Sequence, residues 1–165
     1  MSDKSLPAFS PIARALGRVP SGLYILTVSH EGRSTGMLAS WVQQAGFEPP
    51  MVTVAVASKR FAGDWIAASG RFTLNQIAAG GKALIRHFGR GFPAESPAFE
   101  GLALRDEPEA PAPVLAGAMA YLGVEVAGEV SSGDHRVFLA RVVAGAVFEE
   151  ASEPMLHVRN NGLHY

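Results

Sequence analysis

The sequence predicts a single, mainly β domain of the barrel or sandwich type. Candidate strands outnumber candidate helices, the helices are short, and turn residues recur at close intervals. This pattern is typical of barrels and sandwiches and differs from that of a doubly wound α/β sheet. A chain of 165 residues can bury one hydrophobic core without disulfides or a structural metal. We therefore expect one domain over residues 1–165, with no internal repeat.

Three short helices are predicted. Ser10 is a candidate N-cap and Pro11 occupies the first position of a helix that ends near Gly17. A second helix covers residues 64–68, between two glycines. Residues 82–88 have helical spacing, with apolar side chains on one side.

Six segments have the alternation or the β-branched and aromatic content of strands. Turn-like residues at 30–33 and 131–134 predict two hairpins. Residues 89–113 are rich in proline, alanine and acidic residues, and predict a long, loosely structured segment within the domain. The six strand segments are residues 23–29, 34–43, 52–57, 71–77, 121–130 and 136–148.

Composition excludes several classes of function. The formal net charge of −1 gives no overall positive field for binding nucleic acid or an anionic membrane. The absence of cysteine excludes a disulfide framework, an iron–sulfur cluster and thiolate zinc ligands, so redox chemistry would need an organic cofactor. The five histidines lack close metal-ligand spacing, and we expect no metal site.

Composition also indicates assembly and location. Hydrophobic residues make up 48% of the chain and the mean hydropathy is +0.16, which predicts that a second subunit covers some apolar surface in a homodimer. The first thirty residues lack the pattern of a signal peptide, and no apolar run approaches the length of a membrane span. We therefore expect a cytoplasmic protein.

Four segments are candidates for binding. Gly36 within residues 34–41 would allow close approach of a ligand or another backbone, or would mark a bulge at a barrel corner. The cations after residue 57 could bind an anion such as phosphate, or form a solvated turn. His135 could meet a substrate or be a surface histidine. The segment 157–165 either docks against a ligand or packs on a partner subunit.

The order and spacing of a further set of short motifs carry a resemblance that spans nearly the whole chain. These motifs are residues 19–23, 36–37, 39–40, 49–50, 69–72 with Asn75, 113–115, 120–122, 134–135 and 154–156. They resemble the flavin reductase family, whose barrel holds FMN near a dimer interface and accepts a hydride from NADH or NADPH. Residues 37–42 and 161–165 are especially similar to the flavin reductase-like domain of flavodiiron proteins of photosynthetic bacteria.

The resemblance implies a six-stranded split β-barrel with Greek-key order and a few short flanking helices. It also implies binding residues for FMN and for the nicotinamide nucleotide. The sequence departs from the common pattern at Leu38, Trp41 and Gly123, where hydroxyl residues or a cysteine are frequent. The implied FMN-binding residues are Thr35, Gly36, Met37, Leu38, Ala39, Ser40, Trp41, Ser58, Lys59, Arg60, Asn75, His87 and Phe88. The implied residues for the nicotinamide nucleotide are His135, His157 and Arg159.

The expected function is reduction of FMN by NAD(P)H, with reduced flavin or its electrons passed to a partner such as a monooxygenase. Hydride transfer needs no general base, so no catalytic side chain is expected. Two alternatives remain open at this point. One is an FMN-binding electron-transfer module that a partner protein reduces without nicotinamide, and the other is a barrel for haem or another planar anion.

Overall fold

In the computed structural model, residue 7 and residues 10–163 are described, and they contain three short helices and a mainly β framework. All three predicted helices are present, and Ser10 caps the first by accepting a hydrogen bond from the Ala13 amide at 3.2 Å. The elements in chain order are α1 (Pro11–Gly17), β1 (Ser21–Gly22), β2 (Tyr24–His30), β3 (Arg33–Ala39), β4 (Val42–Phe47), β5 (Pro50–Ala57), α2 (Ala62–Ser69), β6 (Arg71–Gln76), α3 (Lys82–Phe88), β7 (Leu104–Arg105), β8 (Val114–Leu115), β9 (Ala120–Ser132), β10 (His135–Val147) and β11 (Leu156–His157).

The main sheet is antiparallel and has the strand order β3-β2-β6-β9-β10-β5-β4. The predicted mainly β split-barrel class is confirmed, although the described sheet has seven strands where six were expected. The seventh arises because the predicted strand at 34–43 is broken at Ser40 and Trp41. Val42 then begins β4, and the Trp41 carbonyl accepts a hydrogen bond from the Ala55 amide at 3.0 Å.

Two hydrophobic clusters stabilise the sheet. The larger one packs Val54, Phe72 and Phe138 from the strands against Ile66 of α2. The smaller one lies beneath α3 and is centred on the fully buried Phe88. Burying a large apolar side chain contributes about 1.5–3 kcal/mol, so α3 is firmly held against the sheet.

The segment at residues 89–113 has little regular structure, but it is attached to the rest of the fold at several points. Ala98 is buried in the cluster beneath α3, and β7 pairs with β8 to close the segment into a small ribbon. Two buried threonines hold its end, because Thr27 Oγ1 donates to the Pro113 carbonyl at 2.7 Å and Thr73 Oγ1 donates to the Ala112 carbonyl at 3.0 Å. The prediction of a long segment with little regular structure is therefore confirmed, and the hydrogen bonds at its end hold it to the sheet.

The C-terminal segment runs back across the N-terminal helix. The Arg159 amide donates to the Gly17 carbonyl at 3.0 Å, and the Gly162 amide donates to the Ala13 carbonyl at 2.7 Å. Strand β11 also pairs with β1. His164 and Tyr165, which belong to the predicted docking segment, lie outside the described residues. No helix among the described residues is long and apolar enough to cross a membrane.

Candidate functional site

A cleft of about 820 Å³ opens between β3, the end of β5, α3 and the C-terminal segment. A smaller pocket of about 300 Å³ adjoins it and shares Met37, Lys59 and Arg60 with it. The glycine-bearing strand edge and the cationic strand end therefore line the same cavity. The described residues that line the cleft are Leu23, Met37, Leu38, Ala39, Ser40, Ala55, Ala57, Lys59, Arg60, Lys82, Ile85, Gly89, His135, Met155, Leu156, His157, Arg159, Asn160 and Asn161.

Strand β3 supplies one wall of both cavities. Residues 37–40 line the cleft, and Thr35, Gly36 and Met37 line the smaller pocket. Because β3 is the terminal strand of the sheet, every second residue points its backbone N–H and C=O groups away from β2. The strand thus offers hydrogen-bonding groups to a planar ligand without the hydroxyl side chains that are absent at 38 and 41.

Gly36 is explained by an aromatic side chain. A Cβ at this position would lie 2.7 Å from Cε1 of Phe88, so only glycine lets the ring pack against the strand. The alternative of a bulge does not hold, since β2 and β3 pair through Gly36 without a shift in register. The glycine therefore fixes how closely α3 approaches β3, and with it the width of the cavity between them.

Lys59 and Arg60 lie where β5 ends and bring two cations to the wall that both cavities share. Arg60 Nη1 donates to the Arg90 carbonyl at 3.0 Å. A Cβ at Gly91, whose φ is +73°, would overlap the Arg60 guanidinium, so this turn holds the side chain in place. Ser58 lies beside them but is not among the described residues that line either cavity.

An aromatic and cationic cluster lies at another side of the cleft. The Trp41 and His135 ring centroids are 4.6 Å apart, and Arg159 Cζ lies 5.2 Å from the centroid of the Trp41 ring. His135 Nδ1 and Asp134 Oδ1 are 2.7 Å apart, and this hydrogen bond lowers the pKa of the Asp134 carboxyl, with the charge of the histidine adding to it. His135, His157 and Arg159, expected to face the nicotinamide nucleotide, all line the cleft, whereas Trp41 is not among the described lining residues and instead contacts His135 and Arg159.

Asn75, His87 and Phe88 lie behind the walls and do not appear among the described residues that line the two cavities. The buried Asn75 amide accepts a hydrogen bond from the Leu115 amide at 2.8 Å and donates to the Pro113 carbonyl at 3.3 Å. His87 Nε2 lies 2.8 Å from the Ala98 carbonyl. The three side chains support the shape of the site.

The sequence analysis did not identify two sets of cleft-lining residues, one on a face of α3 and one in the C-terminal segment. Lys82, Ile85 and Gly89 line the cleft at spacings of three and four residues, which place them on one helical face. That periodicity could have identified them. Met155 and Asn160 line the cleft through the long-range docking of the tail, for which the sequence carries no local signal.

The charge of the site suits an anionic ligand. The cleft is lined by Lys59, Arg60, Lys82 and Arg159, and no described carboxylate lines it. Apolar side chains such as Leu23 also line the cleft. The donor set and the volume fit a planar, phosphorylated ligand such as FMN. No cluster of three potential metal ligands occurs within the described residues.

The split barrel, the open strand edge and the cationic cleft suit a flavin-related oxidoreductase domain, and the family match assigns the chain to that class. The chain belongs to the family described as "Flavin reductase like domain", whose model matches residues 16–163. Membership of this family favours a flavin over the haem alternative.

A curated relative, diflavin flavoprotein A 1 of Synechocystis sp. (strain PCC 6803), is 36% identical over 157 residues, covering 94% of this chain and 27% of the relative. The chain thus spans less than a third of the length of the curated relatives it matches.

Solved structures show the same fold. The NADH:FAD oxidoreductase SgcE6 of Streptomyces globisporus C-1027 has a TM-score of 0.81 at 28% identity, covering 88% of this chain and 86% of that one. The styrene monooxygenase flavin reductase of Pseudomonas putida S12 has a TM-score of 0.76 at 26% identity, covering 90% and 93%.

Proposed function

We propose that this domain binds FMN in the cleft and catalyses its reduction by NADH or NADPH. The observation that supports this most strongly is that residues 37–40 and the two cations at 59 and 60 line one cavity. The chemistry that FMN supplies when bound is acceptance of a hydride and later release of electrons. The residues of the chain have to bind FMN and the nicotinamide nucleotide, orient them towards each other and exclude water.

Each wall has a distinct part in this proposal. The outward backbone groups of β3 hydrogen-bond the polar rim of the flavin, while Met37 and Leu38 provide apolar contact. Lys59 and Arg60 offset the phosphate charge. His135 and Arg159 hold the nicotinamide nucleotide on the side supported by Trp41. Holding both reactants in one cleft lowers the entropic cost of their reaction.

We further propose that the domain is a homodimer that passes reduced flavin or its electrons to a partner such as a monooxygenase. Val143 and Val147 of β10 are 43% and 58% exposed, which supports coverage by a second copy. The Pseudomonas neighbour is named as the flavin reductase of styrene monooxygenase, which supports a separate acceptor protein.

The proposal is tested by adding FMN and riboflavin to purified protein and following flavin fluorescence and the visible absorbance. We expect FMN to bind and its absorbance to bleach on addition of NADH or NADPH. Arg60→Gln should weaken FMN binding about tenfold while leaving riboflavin binding unchanged, because a charge-assisted hydrogen bond to phosphate is lost. Arg71→Gln, an exposed arginine away from the cleft, serves as the control. Protein that binds no FMN, or whose bound FMN neither nucleotide reduces, contradicts the proposal.

A second candidate is an electron-transfer module that a partner reduces directly. It is favoured by the diflavin relatives, in which the matching segment is only 27% of a longer chain. Stopped-flow mixing of the FMN-loaded protein with NADH separates the two candidates. In the second case the flavin stays oxidised until the partner is added.

A further inference from the structure

The described residues that line the cleft carry only positive formal charges, although the whole chain has a formal net charge of −1. Lys59, Arg60, Lys82 and Arg159 line the cleft, while the nearby Asp134 carboxylate is 92% exposed, hydrogen-bonds His135 and is not among the described residues that line the cleft. One phosphomonoester carries a charge of about −2 at neutral pH, which two cations offset. Lys59 and Arg60 can offset that charge, and Lys82 lies apart from them at the start of α3, where it can meet a second anionic group.

Arg60 and Lys82 lie at opposite ends of α3. Arg60 donates to the Arg90 carbonyl, just after the helix ends, whereas Lys82 is the first residue of the helix. A helix of seven residues is roughly 10 Å long. The C-terminal segment passes the Lys82 end, because the Met155 amide donates to the Ile77 carbonyl at 2.8 Å. The cleft therefore has two separated cationic ends.

Part of the cleft lining is apolar. Ile85 of α3 and Leu23 line the cleft alongside Lys82, and Leu23 is 6% exposed. An apolar lining suits the rings of a flavin and a nucleotide, and cations at the two ends of the cleft suit phosphates that lie far apart. A lysine on a flexible four-carbon stem reaches such a phosphate as a point charge.

We propose that Lys82 binds a phosphoryl oxyanion of the nicotinamide nucleotide, at the end of the cleft opposite the flavin phosphate. This rests on the proposed function and adds a residue that sets the affinity for the second substrate. Arg86 lies on the same helix, is exposed and does not line the cleft, so it provides a matched control.

The test uses FMN-loaded protein and isothermal titration calorimetry with ADP-ribose and with 2′-phospho-ADP-ribose, which carry the phosphates without the nicotinamide. Lys82→Gln should weaken binding about fivefold, as expected for one partly solvated ion pair with phosphate. Lys82→Arg should retain the affinity, and Arg86→Gln should match the wild type. The KM for NADH or NADPH should rise by the same factor in Lys82→Gln, with the Kd for FMN unchanged.

The two probes separate the possible phosphates. If Lys82→Gln weakens the binding of both probes equally, Lys82 contacts the pyrophosphate. If it weakens the binding of 2′-phospho-ADP-ribose alone, Lys82 contacts the 2′-phosphate. Either result supports the proposal. No detectable binding of either probe, equal affinity in Lys82→Gln and wild type, or an equal loss of FMN affinity overturns it. Failure of the proposed function is visible separately, in wild-type protein whose bound FMN neither NADH nor NADPH reduces.

Discussion

Substituting Gly36 with alanine should destabilise the protein, because the added Cβ would overlap the Phe88 ring. The new Cβ would lie 2.7 Å from Cε1 and 3.2 Å from Cδ1 of Phe88. Carbon atoms in favourable contact are about 3.5–4.0 Å apart, so the ring must move by roughly 1 Å. Phe88 is fully buried and packs edge-on against Phe92, which leaves little room for that movement.

We expect Gly36→Ala to lower the free energy of unfolding by about 1–3 kcal/mol, the usual cost of overpacking a core. In a domain of this size, each kcal/mol corresponds to a fall in Tm of about 2–4 °C. Because Gly36 also lines the smaller pocket, displacement of Phe88 should weaken FMN binding as well. Gly128→Ala is the control, since a Cβ there would meet nothing within 4 Å.

The assay is urea unfolding followed by circular dichroism, with a double-mutant cycle that includes Phe88→Leu. The smaller side chain should relieve the overlap, so the double variant should lose less stability than the sum of the single losses. A Gly36→Ala protein as stable as the wild type, or losses that simply add in the cycle, would refute the packing argument.

Three further substitutions test other contacts. Asn75→Ala should lower the free energy of unfolding by about 2–4 kcal/mol, measured in urea, because buried backbone groups lose their partners. Gly91→Ala should displace Arg60 and weaken FMN binding more than riboflavin binding, measured by fluorescence titration. The hydrogen bond from Arg136 lowers the pKa of Glu129, so this carboxylate stabilises the fold above its unfolded-state pKa and loses that contribution as pH falls through its folded-state pKa. Glu129→Gln should therefore be less stable than the wild type at pH 7, and the two should converge under acid conditions in urea unfolding.

Local signals predicted most of the fold. The residues of α3 and the two hairpins could be identified because helical spacing, strand alternation and turn residues are signals that depend only on residues close together in the sequence. Strand β4 could not be separated from β3, since Gln43, Gln44 and Ala45 are exposed and give no alternation. Its position is fixed instead by pairing with β5.

The attachment of the segment at residues 89–113 to the sheet also depends on distant partners. The hydroxyls of Thr27 and Thr73 hold residues 112 and 113 across the sheet, and no pattern within the segment itself indicates this. The residues of the site likewise divide into those with a local sequence signal and those placed by long-range contacts. Met37 and Lys59 stood out within their own segments, whereas Met155 reaches the cleft only through tertiary contacts. The role of Asn75 beside a flavin stays a prediction, because its amide bonds the protein backbone.

The net charge of the chain did not indicate a cationic site, because the fold pairs many charges with one another outside the cleft and leaves cations along its lining. Away from the cleft, arginines pair with carboxylates, as Arg136 does with Glu129 and Arg141 with Glu125, at 2.5 and 2.9 Å. These pairs cancel in the composition and have little field at a distance, since exposed charges are screened within about 8 Å at physiological ionic strength. Lys59 and Lys82 instead face a concave surface that no described carboxylate lines. A chain with a formal net charge of −1 therefore presents a locally positive cavity, and it is this local field that would attract a phosphorylated ligand.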